Sequence, residues 1–249
     1  MPDTPSVDLT LVFPVYNEEA GIAIVLEDWH ASLESLGVTF EIRAYDDGST
    51  DGSHECLRAL EGRLPHLVVE HHSNRGHGPT ILRGYREARG RYVAQCDSDG
   101  EFQASCFERL WCRREDAVLV VGRRVGRRQI WARRTVSAVS RGATRLLFGR
   151  GVRGLDVNSP LRLMRRRWLR AALAVLDADT FAPNVLLTGF AARDGGVLQV
   201  EVECVGRQWG DDSLGSRPLG SWSLWRAAAR ALKQTVVASR RRPAMGEES

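Results

Sequence analysis

Short apolar, β-branched runs alternate with amphipathic helical stretches through the first half of the chain, and no other feature restricts the fold as tightly. The runs are Leu9–Val15, Phe40–Tyr45, Leu67–Glu70, Tyr92–Cys96 and Val118–Val121. Between them, Glu18–Leu36 spaces Ile22, Val25, Leu26, Trp29 and Leu33 at helical intervals, and Asp51–Leu64 and Pro79–Ala88 read as further helices. Strands and helices in that order build βαβ units. The expectation is an α/β fold with a mostly parallel, Rossmann-like sheet and flanking helices, its ligands lying beyond the strand C-termini.

After Gly122 the alternation breaks. A basic helical stretch surrounds Trp131, a Gly-rich turn runs from Gly149 to Gly154, and a short strand is expected at Pro160–Met164. Arg165–Leu176 and Thr188–Arg193 read as helices, Val197–Val202 as a strand, and Trp209–Leu219 as a polar, Gly-rich loop. This second part reads as acceptor-side machinery rather than sheet core. One domain is expected over residues 1–222, split at about residue 122, followed by a basic amphipathic helix and a disordered tail over 223–249.

Charge sharpens that division. The net +4 of the whole chain conceals seventeen arginines between Arg113 and Arg170, opposed there only by Glu115, Asp116 and Asp156. Such a stretch should meet something anionic. Five cysteines with no CxxC pair suggest neither a disulfide framework nor a zinc knuckle, so a reducing cytosol is expected. Neither a signal peptide nor an apolar run of the ~20 residues that a spanning helix needs is legible. The protein is expected to be cytoplasmic, or peripheral at the cytoplasmic membrane face.

Three strand ends carry polar clusters. Asp97-Ser98-Asp99 follows the fourth run, where two carboxylates can hold a hard divalent cation between diphosphate oxygens; the same residues also suit a surface turn. Phe13-Pro14-Val15-Tyr16-Asn17-Glu18-Glu19 leaves the first run with an aromatic ring and carboxylates, which can receive a planar base or simply cap a helix with Asn17. Tyr45-Asp46-Asp47-Gly48-Ser49-Thr50-Asp51-Gly52 ends the second run, and helix capping does not account for two consecutive aspartates there. All three clusters fall on one sheet edge. No GxGxxG and no GxxxxGK[ST] is present, so neither a dinucleotide fingerprint nor a P-loop is expected.

Taken together, FPVYNEE, DDGSTDGS, NRGHGPTILRGY and CDSDGEFQ resemble glycosyltransferase family 2, of the GT-A fold, and most nearly its dolichyl- or polyprenyl-phosphate sugar synthases. The likeness spans roughly Leu9 to Arg170. It implies that Pro14, Tyr16 and Glu18 contact the nucleotide base, with Tyr45 beside it and Asp47 on base or ribose. It also implies that Gly76 lies in a turn close to the nucleotide and sugar, and that Asp97, Ser98 and Asp99 flank the diphosphate. Asp97 and Asp99 would bind Mg²⁺ or Mn²⁺, with Glu101 as third ligand in preference to Gln103. Arg124 and Arg162 align with phosphate- or acceptor-side arginines, and Asp156 with an acceptor-side aspartate. Arg207 corresponds to a further family arginine, while no lysine follows Ser213 where one is common.

The implied reaction moves a sugar from a GDP- or UDP-linked donor to an acceptor with inversion. A polyprenyl phosphate is already a nucleophilic anion, whereas a hydroxyl acceptor needs a base, for which Asp156 is the candidate. The arginines and apolar side chains of 123–153 and the tail around Trp222 and Trp225 suit an anionic membrane surface. A nucleic-acid-binding module would explain the arginines but not the aspartate clusters, so no nucleic acid partner is expected. A nucleotidyltransferase is the nearer rival, and it would release pyrophosphate instead of a nucleoside diphosphate.

Overall fold

The computed structural model describes residues 7–125, 148–152, 154–194, 196–206, 208–209, 233–234, 236–237 and 241. The strands are β1 (Leu9–Val15), β2 (Phe40–Asp46), β3 (Leu67–His71), β4 (Tyr92–Gln95), β5 (Leu119–Val125), β6 (Arg162–Arg165) and β7 (Val197–Glu203). They form one seven-stranded sheet in the order β3-β2-β1-β4-β6-β5-β7. The helices are α1 (Ile22–Ser35), α2 (Ser53–Glu61), α3 (His77–Glu87), α4 (Phe107–Trp111), α5 (Arg166–Leu173) and α6 (Pro183–Arg193).

Every residue of β1 and β2 is buried, as strands covered on both faces must be. One face packs against α1, α2 and α4 through Trp29, Leu57 and Phe107; the other packs against α3, α5 and α6 through Leu82, Trp168 and Phe190. β1 pairs in parallel with both β2 and β4, so the three carboxylate-bearing ends emerge together. Pro14 is tolerated in this central strand for a specific reason. The Val12 carbonyl accepts Cys96 N–H and the Pro14 carbonyl accepts Ser98 Oγ–H, so Pro14 faces β4 beyond the last rung, Val12 with Gln95. No ladder donor is lost there.

Two expectations change. The second part of the chain is not outside the sheet: β6 lies inside it, antiparallel to β4 and β5, and β7 forms an edge parallel to β5. The strand expected at Pro160–Met164 is present as Arg162–Arg165; its place inside the sheet was not legible, because its neighbours are supplied by distant sequence. The helix expected from Glu18 begins instead at Ile22, with Gly21 as N-cap and Asn17 in the left-handed region at φ 54°. Residues 17–19 are captured by the 49–53 loop: Asn17 N–H donates to Ser49 Oγ (3.0 Å), Glu18 N–H to Ser53 Oγ (2.8 Å) and Gly52 N–H to Glu19 (3.0 Å). These long-range bonds hold residues 17–19 out of the helix, which then starts beyond them. α4 and the 3-10 turn before it, Ala104–Cys106, were not legible as periodic sequence, being short.

Among the described residues, no helix is long and apolar enough to cross a membrane.

α3 lies against the sheet at Gly84. A Cβ there would stand 2.4 Å from Val12 Cγ1 and 2.9 Å from the Tyr45 ring. Gly84→Ala should therefore overpack the layer and lower the unfolding free energy by about 1–3 kcal/mol, read from urea denaturation. An unchanged midpoint would mean that the helix rides higher than this contact requires.

Candidate active site at the C-terminal sheet edge

Asp97 leaves β4 on the same face as Val93 and Gln95, and its position is set from below. The Gln95 amide donates to Asp97 Oδ1 at 2.8 Å, and the Gln95 carbonyl oxygen accepts Asn184 Nδ2 at 2.8 Å from α6. The Tyr85 hydroxyl of α3 lies 3.0 Å from both Gln95 Oε1 and Asn184 Oδ1. Gln95, Tyr85 and Asn184 are all buried, so this polar chain is enclosed and each member depends on the others. His77 Nε2, at the start of α3, lies 3.0 Å from the same Oδ1. Oδ2 of Asp97 has no hydrogen-bond partner among the described residues, and the side chain is 29% exposed. Desolvation at this strand end pushes the Asp97 carboxyl up, but His77, Arg124 and Arg162 pull it down further, so it lies below the usual carboxylate range. A carboxylate with one oxygen braced and the other open is a fitting ligand for a hard cation.

Ser98 is buried and ties this turn to β1 through Pro14. Asp99 Oδ1 accepts Glu101 N–H at 3.0 Å, closing a turn in which Gly100 adopts φ 70°. Beyond it lies a charged cluster. Arg124, from the end of β5, grips Asp156 with two bonds, Nε to Oδ2 at 2.8 Å and Nη2 to Oδ1 at 2.9 Å. The same guanidinium reaches Glu101 Oε2 at 3.5 Å, and Cys204 Sγ lies 3.2 Å from Oε1. Burial lowers the Arg124 pKa, yet Asp156 and Glu101 raise it by more, so it stays charged throughout the accessible range.

The 74–76 turn is held by Asp47. Its Oδ1 accepts Arg75 N–H at 2.6 Å and its Oδ2 accepts Gly76 N–H at 2.9 Å, with Gly76 at φ 91°. Asp47 thus fastens β2 to the start of α3, bringing Gly76 and His77 toward Asp97. Tyr16 stands at the exit of β1 with 39% exposure, and Glu18 is buried behind it.

Two residues expected at the ligand edge are placed elsewhere. Tyr45 is fully buried and turned toward the far end of α3, its hydroxyl donating to Glu87 at 2.9 Å and accepting from Arg43 Nε at 2.9 Å. Successive strand residues point to opposite faces, so Tyr45 joins the α3 layer and not the edge. Arg162 is also fully buried. It donates to the carbonyls of Ser159 (3.1 Å from Nε) and Asn184 (3.2 Å from Nη1), with no carboxylate at ion-pair distance among the described residues. Burial lowers its pKa. It braces the turn after Asp156 from beneath instead of presenting its charge to an acceptor. Arg207 lies outside the described residues, as do most of the basic stretch around Trp131, the Trp209–Leu219 loop and the tail.

A feature that sequence reasoning missed is the return of the chain after β7. Val205 N–H donates to the Glu101 carbonyl and Gln208 N–H to the Asp99 carbonyl, at 3.2 and 3.0 Å. Trp209 then packs where any Cβ on Gly21 or Gly100 would collide with its ring, at 2.4 and 2.6 Å. The two glycines, 79 residues apart, were the only local signal of it.

The pattern of strand ends matches a known family. A family model described as Glycosyl transferase family 2 covers residues 10–173. The chain belongs to glycosyl transferase family 2. Among curated family relatives, it is 36% identical over 190 residues to undecaprenyl-phosphate 4-deoxy-4-formamido-L-arabinose transferase of Pseudomonas paraeruginosa, covering 74% of this chain and 54% of the relative. The protein of the same name from Proteus mirabilis is 31% identical over 206 residues, covering 82% and 61%. The chain thus spans only about half to three-fifths of the length of these relatives. In fold, it resembles glucosyl-3-phosphoglycerate synthase from Mycobacterium tuberculosis, solved with Mn²⁺, uridine diphosphate and phosphoglyceric acid, with a TM-score of 0.69 at 19% identity over 94% of this chain and 79% of that one. Staphylococcus aureus TarS 1-349 superposes with a TM-score of 0.55 at 17% identity, over 78% and 58%. These likenesses establish the GT-A architecture of the sheet.

Replacing Gln95 by Leu strands the Asn184 amide N–H in the core and removes one of the two partners of the Tyr85 hydroxyl, and should cost about 1–3 kcal/mol of stability. Because the three side chains form one network, Gln95→Leu combined with Tyr85→Phe should lose less than the sum of the single losses, by at least about 0.5 kcal/mol in a double-mutant cycle. Strict additivity would dissolve the network.

Proposed function

We propose that this chain catalyses inverting, metal-dependent transfer of a sugar from a nucleotide-diphosphate sugar, GDP- or UDP-linked, to a polyprenyl phosphate at a membrane surface. The observation that carries the reading is Asp97, braced on one oxygen by a buried amide network and open on the other, at the edge where β1, β2 and β4 all end. The names of the curated relatives support the acceptor class.

In this reading Tyr16 and Glu18 receive the base, and Asp47 acts by holding Gly76 close to the donor. Asp97 and Asp99, with Glu101 beside them, supply the oxygens for Mg²⁺ or Mn²⁺. A bound divalent cation offsets the charge that grows on the departing diphosphate. Arg124 adds a fixed positive charge to the same edge, kept in place by Asp156 and Glu101 before any substrate arrives, so little reorganisation is needed during the reaction. Attack from the face opposite the diphosphate inverts the anomeric carbon in a single displacement.

A hydroxyl acceptor is the second reading, with Asp156 as base. Both Asp156 oxygens are engaged by Arg124, however, so neither is free to take a proton until that pair opens. A phosphate acceptor needs no such step, and it can instead compete with Asp156 for the guanidinium. This favours the lipid phosphate.

Nucleoside diphosphate release should be measured from a panel of nucleotide sugars with Mg²⁺ or Mn²⁺, with and without polyprenyl phosphate. Release should require the lipid phosphate and fall at least ~100-fold in Asp99→Ala and Asp97→Ala. Arg124→Lys, which cannot make the two-pronged grip on Asp156, should lose activity while keeping donor binding. Metal-dependent donor binding without lipid-stimulated release would transfer the assignment to hydroxyl acceptors, and absence of donor binding would end the glycosyltransferase reading.

A further inference from the structure

A second constellation sits behind the donor edge, on the opposite face of β2 from Tyr45. Asp46 is fully buried at the strand's end, and two imidazoles converge on the same carboxylate oxygen. His71 Nδ1, at the end of β3, lies 2.8 Å from Asp46 Oδ2, and His54 Nδ1, in the first turn of α2, lies 3.1 Å from it. The two rings meet edge-on with centroids 4.7 Å apart. All three donor atoms fall within 4.8 Å of one another.

We propose that Asp46, His54 and His71 form a transition-metal site, suited first to Zn²⁺, distinct from the Asp97–Asp99 edge. Zinc bonds of about 2.0–2.1 Å to N and O donors put ligand atoms of one tetrahedron ~3.3 Å apart, close to the separations found here from Asp46 to each histidine. The carboxylate is oriented for the task. Its Oδ1 accepts Ser49 N–H at 2.9 Å, which leaves Oδ2 directed between the imidazoles. With neutral imidazoles the cluster carries one negative charge. His71 is half exposed, so a fourth position opens to solvent for water. Two histidines and one carboxylate suit zinc, whereas the oxygen-rich Asp97 edge suits Mg²⁺ or Mn²⁺, so the two sites select different ions.

The three ligands come from β2, α2 and β3, and the next residue, Asp47, holds the Arg75 and Gly76 amides. An ion at Asp46 therefore ties down the loop that shapes the donor edge without touching the donor. This inference does not rest on the transferase reading, and its test uses no turnover.

Chelator-treated full-length protein should be titrated with Zn²⁺ and, separately, with Co²⁺. Asp97→Asn/Asp99→Asn protein should be titrated in parallel, so that ions held at the donor edge are not counted. The expected result is one equivalent bound in the double-Asn protein, and at least that one in the parent, with the visible bands of tetrahedral cobalt and a higher Tm. That equivalent, the bands and the Tm gain should all vanish in His71→Gln and in His54→Gln. His71 is exposed enough that its variant should keep the circular dichroism of the parent. No Zn²⁺ equivalent in the double-Asn background, or an equivalent that survives both histidine substitutions, would overturn the proposal.

Discussion

Parallel pairing of β1 with β2 on one side and β4 on the other is the constraint from which the remaining organisation follows. Parallel strands all leave the sheet in the same direction, so whatever residues follow them are gathered at one edge however far apart they lie in sequence. The pairing is stable because both faces of these strands are buried, under α1 and α2 on one side and α3 on the other. Tyr16, Asp47 and Asp97 are neighbours because the apolar residues behind them cannot be anywhere else.

The edge is then made rigid from beneath. Burying amides and hydroxyls is costly unless each is paired, and the Gln95–Tyr85–Asn184 chain meets that demand while delivering one N–H to Asp97. Arg162 plays a related part under the Asp156 turn, donating to backbone carbonyls in place of a carboxylate. In both cases a polar residue in the core acts through another side chain or turn at the surface. Beside the Asp99 turn, Arg124 is held between Asp156 and Glu101 by charge-assisted bonds, so its guanidinium is fixed in place among carboxylates.

Much of the first half of the chain was legible in the sequence because its signals are local. The apolar runs located β1 to β5 to within a few residues, and the aspartates marked the ends of β2 and β4. Legibility failed where a residue's surroundings come from far along the chain. Asn17 looked like a helix cap, yet Ser49 and Ser53 take the amides of residues 17 and 18 and leave Gly21 to begin the helix. Tyr45 and Asp46 read as one cluster with Asp47, but strand alternation sends Asp46 to the face opposite Tyr45, while Asp47, beyond the strand's end, holds the turn before α3. Nothing in the sequence of His54 and His71 hinted that both would meet Asp46.

The sequence by itself determined the α/β class, the family, and the residue types available at the C-terminal sheet edge, because strand and helix periodicities and short motifs are properties of neighbouring residues. Only the tertiary structure decided that β6 enters the sheet antiparallel, that Tyr45 and Arg162 are structural supports, that Asp156 is held by Arg124, and that Trp209 returns to the Asp99 turn. These depend on which distant side chains compete for each hydrogen bond and each cavity, and that competition is settled by packing in three dimensions.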